Sequence, residues 1–270
     1  MLLTKYVELR KFRRLVPDCI TAVALSAYFL LIAEKAKPFL RQFKLSDPRI
    51  QHPFAVIERV TGPMCILISV LLPLAVMTVV VFCKYRHKNR EWHMLNVSLL
   101  GLTLCISIDC VLTDVFKAWI GKHRPDFLAR CGPLPDTLPD VYTDISVCTA
   151  PLGASLLEDG MRSCPSGHSL ISFAAFGYLF MWLFGQWGLG ALSLAKPIYM
   201  YLIVTAPLMC SSYIALSRVQ DYRHSFTDVA LGSALGCVVA FLVYRLYFRS
   251  FWEESSEELV EPEQMAILPI

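Results

Sequence analysis

Three short motifs hold the side chains of this sequence that could do chemistry together, and each lies at the end of an apolar stretch. The first pairs Lys117 with Arg124, the second is the turn 165–168, and the third is the segment 217–228. Together they supply three cations, two histidines, a carboxylate and a glycine turn. These are the groups needed to hold a phosphoryl group and transfer it to a histidine. The motifs therefore predict phosphoryl-transfer chemistry.

In the first motif, Lys117 and Arg124 are seven positions apart, which corresponds to about two turns of helix. Both can face one site if the helix continues as far as Arg124. A guanidinium offers a planar fork to phosphate oxygens, and an ammonium acts as a point charge. The pair suits a phosphate dianion. Basic residues at the end of a membrane span also extend towards lipid headgroups with no catalytic role. The pair alone therefore does not establish a phosphate-binding site.

The second motif, Pro165-Ser166-Gly167-His168, leads directly into an apolar stretch. A Ser-Gly turn before a helix presents free backbone N–H groups and the positive end of the helix dipole, which favour a bound anion. His168 would then stand beside the phosphate, where a protonated imidazole can give its proton to a departing alkoxide. An ordinary turn is the alternative for this tripeptide taken alone.

The third motif contains Arg218, His224 and Asp228, and the last two are spaced i to i+4. On a helix, Asp228 could accept a hydrogen bond from one imidazole nitrogen of His224 and leave the other nitrogen free as a nucleophile. Arg218 supplies the third cation. A surface i,i+4 contact is the simpler explanation for the His-Asp pair alone.

The composition indicates a polytopic membrane protein, because 56% of the 270 residues are hydrophobic and only 17% are charged. We therefore predict an all-α bundle of six transmembrane helices, each long enough to cross the hydrocarbon core. The predicted spans are 15–33, 64–83, 95–115, 169–187, 198–216 and 229–248. A basic cytosolic amino terminus, 1–14, precedes this domain of 15–250, and an acidic tail, 251–270, follows it and is expected to be disordered.

An even number of spans places loops 34–63, 116–168 and 217–228 on one face of the membrane, so all three motifs converge there. Lys and Arg residues outside the spans are nearly balanced between the two faces. The dense basic segments at the amino terminus and at 84–90 favour cytosolic termini and a lumenal or extracellular site.

Three of the ten cysteines, Cys131, Cys148 and Cys164, fall in the long loop of the motif face. On an oxidising face two of them could form a disulfide, and three reduced thiols are the equally open alternative. The sequence contains no CxxC, HExxH or DxDxDG metal-binding motif. Nor do its basic residues form the continuous stripe with interleaved aromatics that is typical of nucleic-acid binding.

The three-part pattern resembles the type 2 phosphatidic acid phosphatase family, the integral-membrane lipid phosphate phosphatases that share a helical core with vanadium haloperoxidases. The matching positions are Lys117, Arg124, Pro125, Pro165, Ser166, Gly167, His168, Ser217, Arg218, His224 and Asp228. The resemblance covers roughly 95–248 and the six-span organisation. Within the family, 120–131 is similar to the fungal diacylglycerol pyrophosphate phosphatases. Ser169-Leu170 stands where many relatives have Ser-Ser.

The motifs and the resemblance together imply metal-independent hydrolysis of a lipid phosphate, such as phosphatidate, lysophosphatidate or diacylglycerol pyrophosphate. In this interpretation His224 attacks phosphorus, His168 protonates the leaving oxygen and Asp228 orients His224. The phosphate is held by Lys117, Arg124, Ser166, Gly167 and Arg218, with no cofactor. A phosphatase for sphingoid-base or sugar phosphates, and a non-catalytic relative that binds or moves phospholipids, remain alternatives. The oligomeric state and the particular membrane stay open.

Overall fold

The computed structural model describes residues 10–86, 90–190, 196–253 and 255–260, and within these ranges the chain is helical with no β-strand. Its α-helices are α1 (Arg10–Tyr28), α2 (Gly62–Tyr85), α3 (Glu91–Ile120), α4 (Phe127–Cys131), α5 (Ala154–Asp159), α6 (Gly167–Gln186), α7 (Ile198–Gln220) and α8 (Phe226–Tyr247). α1 continues as a wider π-helical turn, Phe29–Ala33. The all-α prediction is confirmed.

Six helices in the described residues are long and apolar enough to cross a membrane, as predicted, and the chain is a multi-pass membrane protein. They are α1 with its π-helical extension, α2, α3, α6, α7 and α8. The largest difference from the predicted limits is in α3, which has 30 residues and ends at Ile120 instead of at 115. Lys117 therefore lies on the last turn of this helix, and its side chain is partly buried, with 16% of its surface exposed.

α6 is the central helix of the bundle, and it carries the large, fully buried side chains of Tyr178 and Trp182. Its closest partner is α8, because two glycines of α8 let the backbones approach each other. A Cβ at Gly232 would lie 2.6 Å from the Ser166 carbonyl oxygen, and one at Gly236 would lie 2.4 Å from the Leu170 carbonyl oxygen. The start of α6 is thereby held against the start of α8.

The three loops of the motif face, 34–63, 116–168 and 217–228, converge at one end of the bundle, as predicted. Phe43 of the first loop pairs with Thr143 of the second, with mutual backbone hydrogen bonds of 2.9 Å. Arg59 of the first loop forms an ion pair with Asp221, which follows α7. These contacts join the loops to one another above the ends of the spans.

A disulfide joins Cys131 to Cys148 and closes part of the second loop, whereas Cys164 is free. Of the two alternatives left open by the sequence, the structure therefore shows one disulfide and one remaining thiol.

Part of the predicted acidic tail packs on the bundle. Leu259 pairs with Phe248, and the buried hydroxyl of Ser256 donates to the Gly185 carbonyl at 3.0 Å. The segment 255–260 thus packs against α6 and α8 and supplies hydrogen-bond partners for backbone groups near their carboxyl ends. Residue 254 and the tail beyond 260 lie outside the described residues, as do residues 1–9 of the predicted amino-terminal segment.

Candidate active site

All eight predicted site residues lie where the three loops meet the ends of α3, α6, α7 and α8. They are Lys117, Arg124, Ser166, Gly167, His168, Arg218, His224 and Asp228. The first two come from the end of α3 and the turn after it, the next three begin α6, and the last three surround the α7–α8 turn. The imidazole of His224 is influenced electrostatically by Arg124, Lys117, Arg218 and His168, so these groups share one site.

Lys117 and Arg124 reach this site, but not from one helix face as the seven-residue spacing suggested. α3 ends because Gly121 adopts a left-handed conformation, with φ of 58°, and its N–H donates to the Lys117 carbonyl. A Cβ at Gly121 would lie only 2.1 Å from the Phe39 carbonyl oxygen, so a side chain is excluded there. Arg124 therefore follows a turn and approaches the site from the loop.

The first residues of α6 lie close to the ammonium group of Lys117. Ser166 is the N-cap, and its hydroxyl oxygen accepts hydrogen bonds from the Ser169 N–H at 3.5 Å and the Ser169 hydroxyl at 3.0 Å. A Cβ at Gly167 would lie 3.3 Å from Nζ of Lys117, which shows how near the ammonium comes to the first helical residue. The first N–H groups of a helix lack intrahelical acceptors. A cation and free N–H groups thus border the same space.

The α7–α8 turn places His224 beside Arg218. The backbone N–H groups of Arg223 and His224 both donate to the Arg218 carbonyl, at 3.0 and 3.2 Å. Tyr222 takes a positive φ of 53°, which reverses the chain within a short connection. Ser225 then caps α8. The turn is thus tied to the residue that precedes it in the motif.

The predicted hydrogen bond between His224 and Asp228 is not formed, since Nδ1 of His224 lies 4.0 Å from Oδ2 of Asp228. Nδ1 instead lies 2.7 Å from the carbonyl oxygen of Ser163, to which a protonated Nδ1 donates. The i,i+4 geometry requires both residues to be helical. Here α8 begins only at Phe226, so His224 lies before the helix and Asp228 occupies its first turn.

Asp228 acts on the imidazole of His224 indirectly, through Ser163. Its Oδ2 accepts from the Ser163 hydroxyl at 2.7 Å and from the Ser225 N–H at 2.9 Å, and its Oδ1 accepts from Lys122 at 2.7 Å. Together with the Ser225 side chain it forms a capping box at the start of α8. Asp228 therefore anchors Ser163, and the backbone carbonyl of Ser163 anchors His224.

His224 is held in its neutral form. Burial lowers its pKa well below the ordinary value, and the positive charges of Arg124, Lys117 and Arg218 lower it further. A neutral imidazole whose Nδ1–H donates to a carbonyl has its lone pair on Nε2. The motif predicts one free imidazole nitrogen, and this arrangement provides it with the Ser163 carbonyl as acceptor in place of Asp228.

His168 and Arg218 share a backbone acceptor in the first loop. The carbonyl oxygen of Val60 lies 3.2 Å from Nε2 of His168 and accepts from Nη1 of Arg218 at 2.6 Å. Nη2 of Arg218 donates to Glu58 at 3.0 Å. The contact with Val60 leaves Nδ1 of His168 as the ring nitrogen that can exchange a proton with a bound molecule.

Arg124 is fixed by a carboxylate that the motifs do not include. Its Nη2 donates to Asp159 at 2.7 Å, and its Nε donates to the Asp159 carbonyl at 2.8 Å. Burial lowers the pKa of Arg124, and Asp159 opposes that effect. Burial also acts on Asp159, but Arg124, Arg130 and Lys117 hold its pKa well below the usual range.

Sequence reasoning missed the partners of the motif residues, which are Glu58, Val60, Lys122, Asp159 and Ser163. The requirement that buried arginines be paired could have pointed to unassigned loop carboxylates such as Glu58 and Asp159. No comparable signal marks Val60 or Ser163, since they contribute backbone carbonyls. Within the described ranges, no three His, Cys, Asp or Glu side chains form a group that could hold a metal ion.

Comparisons with known proteins match the chain to one family and to several named relatives. Residues 96–252 match the model of the PAP2 superfamily. The chain is 42% identical over 215 residues to Diacylglycerol pyrophosphate phosphatase 1 of Saccharomyces cerevisiae, covering 78% of this chain and 72% of the yeast protein. It is 35% identical over 244 residues to Probable diacylglycerol pyrophosphate phosphatase 1 of Schizosaccharomyces pombe, covering 90% of this chain and 84% of that protein.

A plant relative, Lipid phosphate phosphatase 2 of Arabidopsis thaliana, is 33% identical over 182 residues, which is 67% of this chain and 60% of that protein. No solved structure matches the chain. The matched region begins within α3 and includes α6, α7, α8 and every predicted site residue. On its sequence and on the relatives it matches, the chain belongs to the PAP2 superfamily.

Proposed function

We propose that this protein is a lipid phosphate phosphatase that works through a phosphohistidine at His224. The observation that carries the proposal is the state of His224, whose Nδ1 is 2.7 Å from the Ser163 carbonyl while Nε2 is left as the nucleophilic nitrogen. Burial and three nearby cations keep the imidazole unprotonated. A site built only to bind phosphate would gain more from a protonated imidazole than from a neutral one.

In the first step, Nε2 of His224 attacks phosphorus and the bond from phosphorus to the lipid oxygen breaks. His168 gives a proton to that oxygen, which then leaves as a neutral alcohol or as a protonated phosphate group. A phosphate dianion beside His168 favours the protonated imidazole that this role needs. In the second step, water attacks the phosphohistidine, His168 takes a proton from it, and inorganic phosphate leaves with Nε2 restored.

Lys117, Arg124 and Arg218 supply the positive charge that the phosphoryl oxygens need as the transition state forms. The hydroxyl of Ser166 and the N–H of Gly167 add hydrogen-bonding groups at the positive end of α6. Because these protein groups stabilise the phosphoryl charge, we propose that the reaction needs no divalent metal and no cofactor.

The substrate is proposed to be a lipid whose headgroup enters from the membrane surface while its acyl chains stay in the bilayer. The site lies at the ends of the spanning helices, where such a headgroup would be found. The two fungal relatives are named for diacylglycerol pyrophosphate. Phosphatidate, lysophosphatidate and diacylglycerol pyrophosphate all fit this proposal, and sphingoid-base phosphates are the second candidate class.

We also propose that the site faces the lumen or the exterior. The Cys131–Cys148 disulfide supports this orientation, because disulfides persist in oxidising compartments and are rare in the cytosol. It lies on the same face as the three motifs. The dense basic segments near the amino terminus and at 84–90 would then be cytosolic.

Activity should persist in excess EDTA and should be inhibited by orthovanadate, because a trigonal-bipyramidal vanadate resembles the phosphoryl transition state. We would assay the purified protein in chelator against phosphatidate, lysophosphatidate, diacylglycerol pyrophosphate and a sphingoid-base phosphate. An absolute requirement for Mg²⁺ would contradict the proposal. Binding of every lipid with hydrolysis of none would identify a non-catalytic relative instead.

His224→Ala should abolish turnover, since a nucleophile cannot be bypassed. His168→Ala should slow the first step by about 10²- to 10⁴-fold for an alkoxide leaving group, and by less for a pyrophosphate, whose leaving group needs less protonation. The measurement compares phosphatidate with diacylglycerol pyrophosphate for each variant. Turnover by His224→Ala, with contaminating phosphatase excluded, would overturn the assignment.

In sealed vesicles that keep the orientation of the cell surface, external protease should leave the carboxyl-terminal tail intact. After mild reduction, an impermeant thiol reagent should label Cys131 and Cys148 from outside. A variant lacking Cys131 and Cys148 is the control for labelling of the free Cys164 and of thiols elsewhere. Cleavage of the tail without permeabilisation, together with protection of the loop, would invert the proposed orientation.

A further inference from the structure

The first loop, which contains none of the three motifs, reaches into the site at Glu58. One oxygen of this carboxylate accepts from Nη2 of Arg218 at 3.0 Å, and the other lies 2.8 Å from Nη2 of Arg223. Two residues later, the Val60 carbonyl accepts from Nη1 of Arg218 at 2.6 Å. Both terminal nitrogens of Arg218 are therefore held by the segment 58–60.

This arrangement leaves one edge of Arg218 for a ligand. Arg218 is almost completely buried, with 2% of its side chain exposed, and its Nε is a buried donor that lacks a partner in the described part of the chain. A buried N–H group without an acceptor is unfavourable. A phosphate oxygen in the site would supply that acceptor, so the contacts with Glu58 and Val60 determine which edge faces the substrate.

Glu58 also connects the phosphate-binding arginines to one another. Arg223, which Glu58 holds, pairs with Asp126 at 3.3 Å, and Asp126 forms two hydrogen bonds of 2.9 Å with Arg130. Arg130 pairs with Asp159 at 2.8 Å, and Asp159 holds Arg124. A continuous row of alternating charges thus runs from Arg218 to Arg124. Of this row, Glu58 is the member that contacts Arg218 directly.

We propose that Glu58 is a positioning residue for phosphoryl transfer, which fixes the guanidinium of Arg218 by bridging it to Arg223. The inference rests on the proposed function. Glu58 does not contact the phosphate. It acts by keeping Arg218 in the orientation that the transition state needs, because a misplaced catalytic group loses much of its effect even when it stays in the site.

Glu58→Gln separates this role from a simple effect of charge. Electrostatics alone predicts that removal of a negative charge beside Arg218 strengthens the binding of an anion. Positioning predicts the opposite, because an amide has only one acceptor oxygen and its NH₂ group repels the second guanidinium. One arginine then loses its contact with residue 58, and the orientation of Arg218 that this contact fixes is lost with it.

The test measures orthovanadate affinity by thermal shift, and kcat/KM by hydrolysis of diacylglycerol pyrophosphate, on purified full-length protein. Glu58→Gln should bind vanadate at least about 10-fold more weakly and lose about 10- to 100-fold in kcat/KM, mostly in kcat. Glu58→Asp keeps the negative charge but has a shorter side chain, so it should lose less in both vanadate affinity and kcat/KM. Asp47→Asn is the matched control, since it removes a carboxylate of the same loop whose one ion pair among the described residues is with the exposed Arg49. It should behave as wild type.

Vanadate binding by Glu58→Gln that equals or exceeds that of wild type would overturn the inference. If Glu58→Gln does not fold, wild-type vanadate affinity in Glu58→Asp would overturn it equally. The thermal-shift measurement needs no turnover, so it tests Glu58 even if the wild type hydrolyses no lipid phosphate and the proposed function fails. A wild type that binds no vanadate would contradict both.

Discussion

The arrangement of this site depends on packing several positive charges around a neutral imidazole before any phosphate is present. Arg124 and Arg218 are buried, Lys117 is partly buried, and like charges in a poorly hydrated space repel one another. The protein balances Arg124 with Asp159 and Arg218 with Glu58. These carboxylates keep the guanidinium groups in place, and burial together with the cations keeps His224 unprotonated.

The helical framework serves that arrangement by fixing the distance between the starts of α6 and α8. Gly232 and Gly236 allow the two backbones into direct contact, and the Ser166 N–H donates to the Asp228 carbonyl at 3.1 Å. The anion-binding start of α6 is therefore held beside the capping box of α8. The loops carry most of the charged side chains, and α6 and α8 fix the positions of those side chains relative to one another.

Much of the architecture could be predicted from the sequence, because hydropathy marks spans and an even number of spans brings alternate loops to one face. The identity of the motif residues was likewise visible in residue type and spacing. The local geometry of these residues could not be predicted in the same way. Spacing indicates which residues are neighbours only while a helix continues. Here α3 ends between Lys117 and Arg124, and α8 begins only after His224.

The partners of the motif residues were harder to predict for a different reason. Val60 and Ser163 act through backbone carbonyls, which every residue type offers. Glu58 comes from a loop with no motif, and its role depends on a fold that brings it next to Arg218, 160 positions later in the chain. Such long-range pairings are a property of the folded chain, and sequence spacing does not encode them.

The proposed mechanism depends on a phosphohistidine at His224, and trapping that intermediate is the most direct test. Lipid substrate labelled in its terminal phosphate would be mixed with enzyme, quenched within milliseconds in alkaline denaturant, and the labelled protein digested and sequenced by mass spectrometry. We predict an acid-labile, alkali-stable phosphoryl group on His224, absent from His224→Ala. A burst of product with no label on protein, or label on a different residue, would contradict the account.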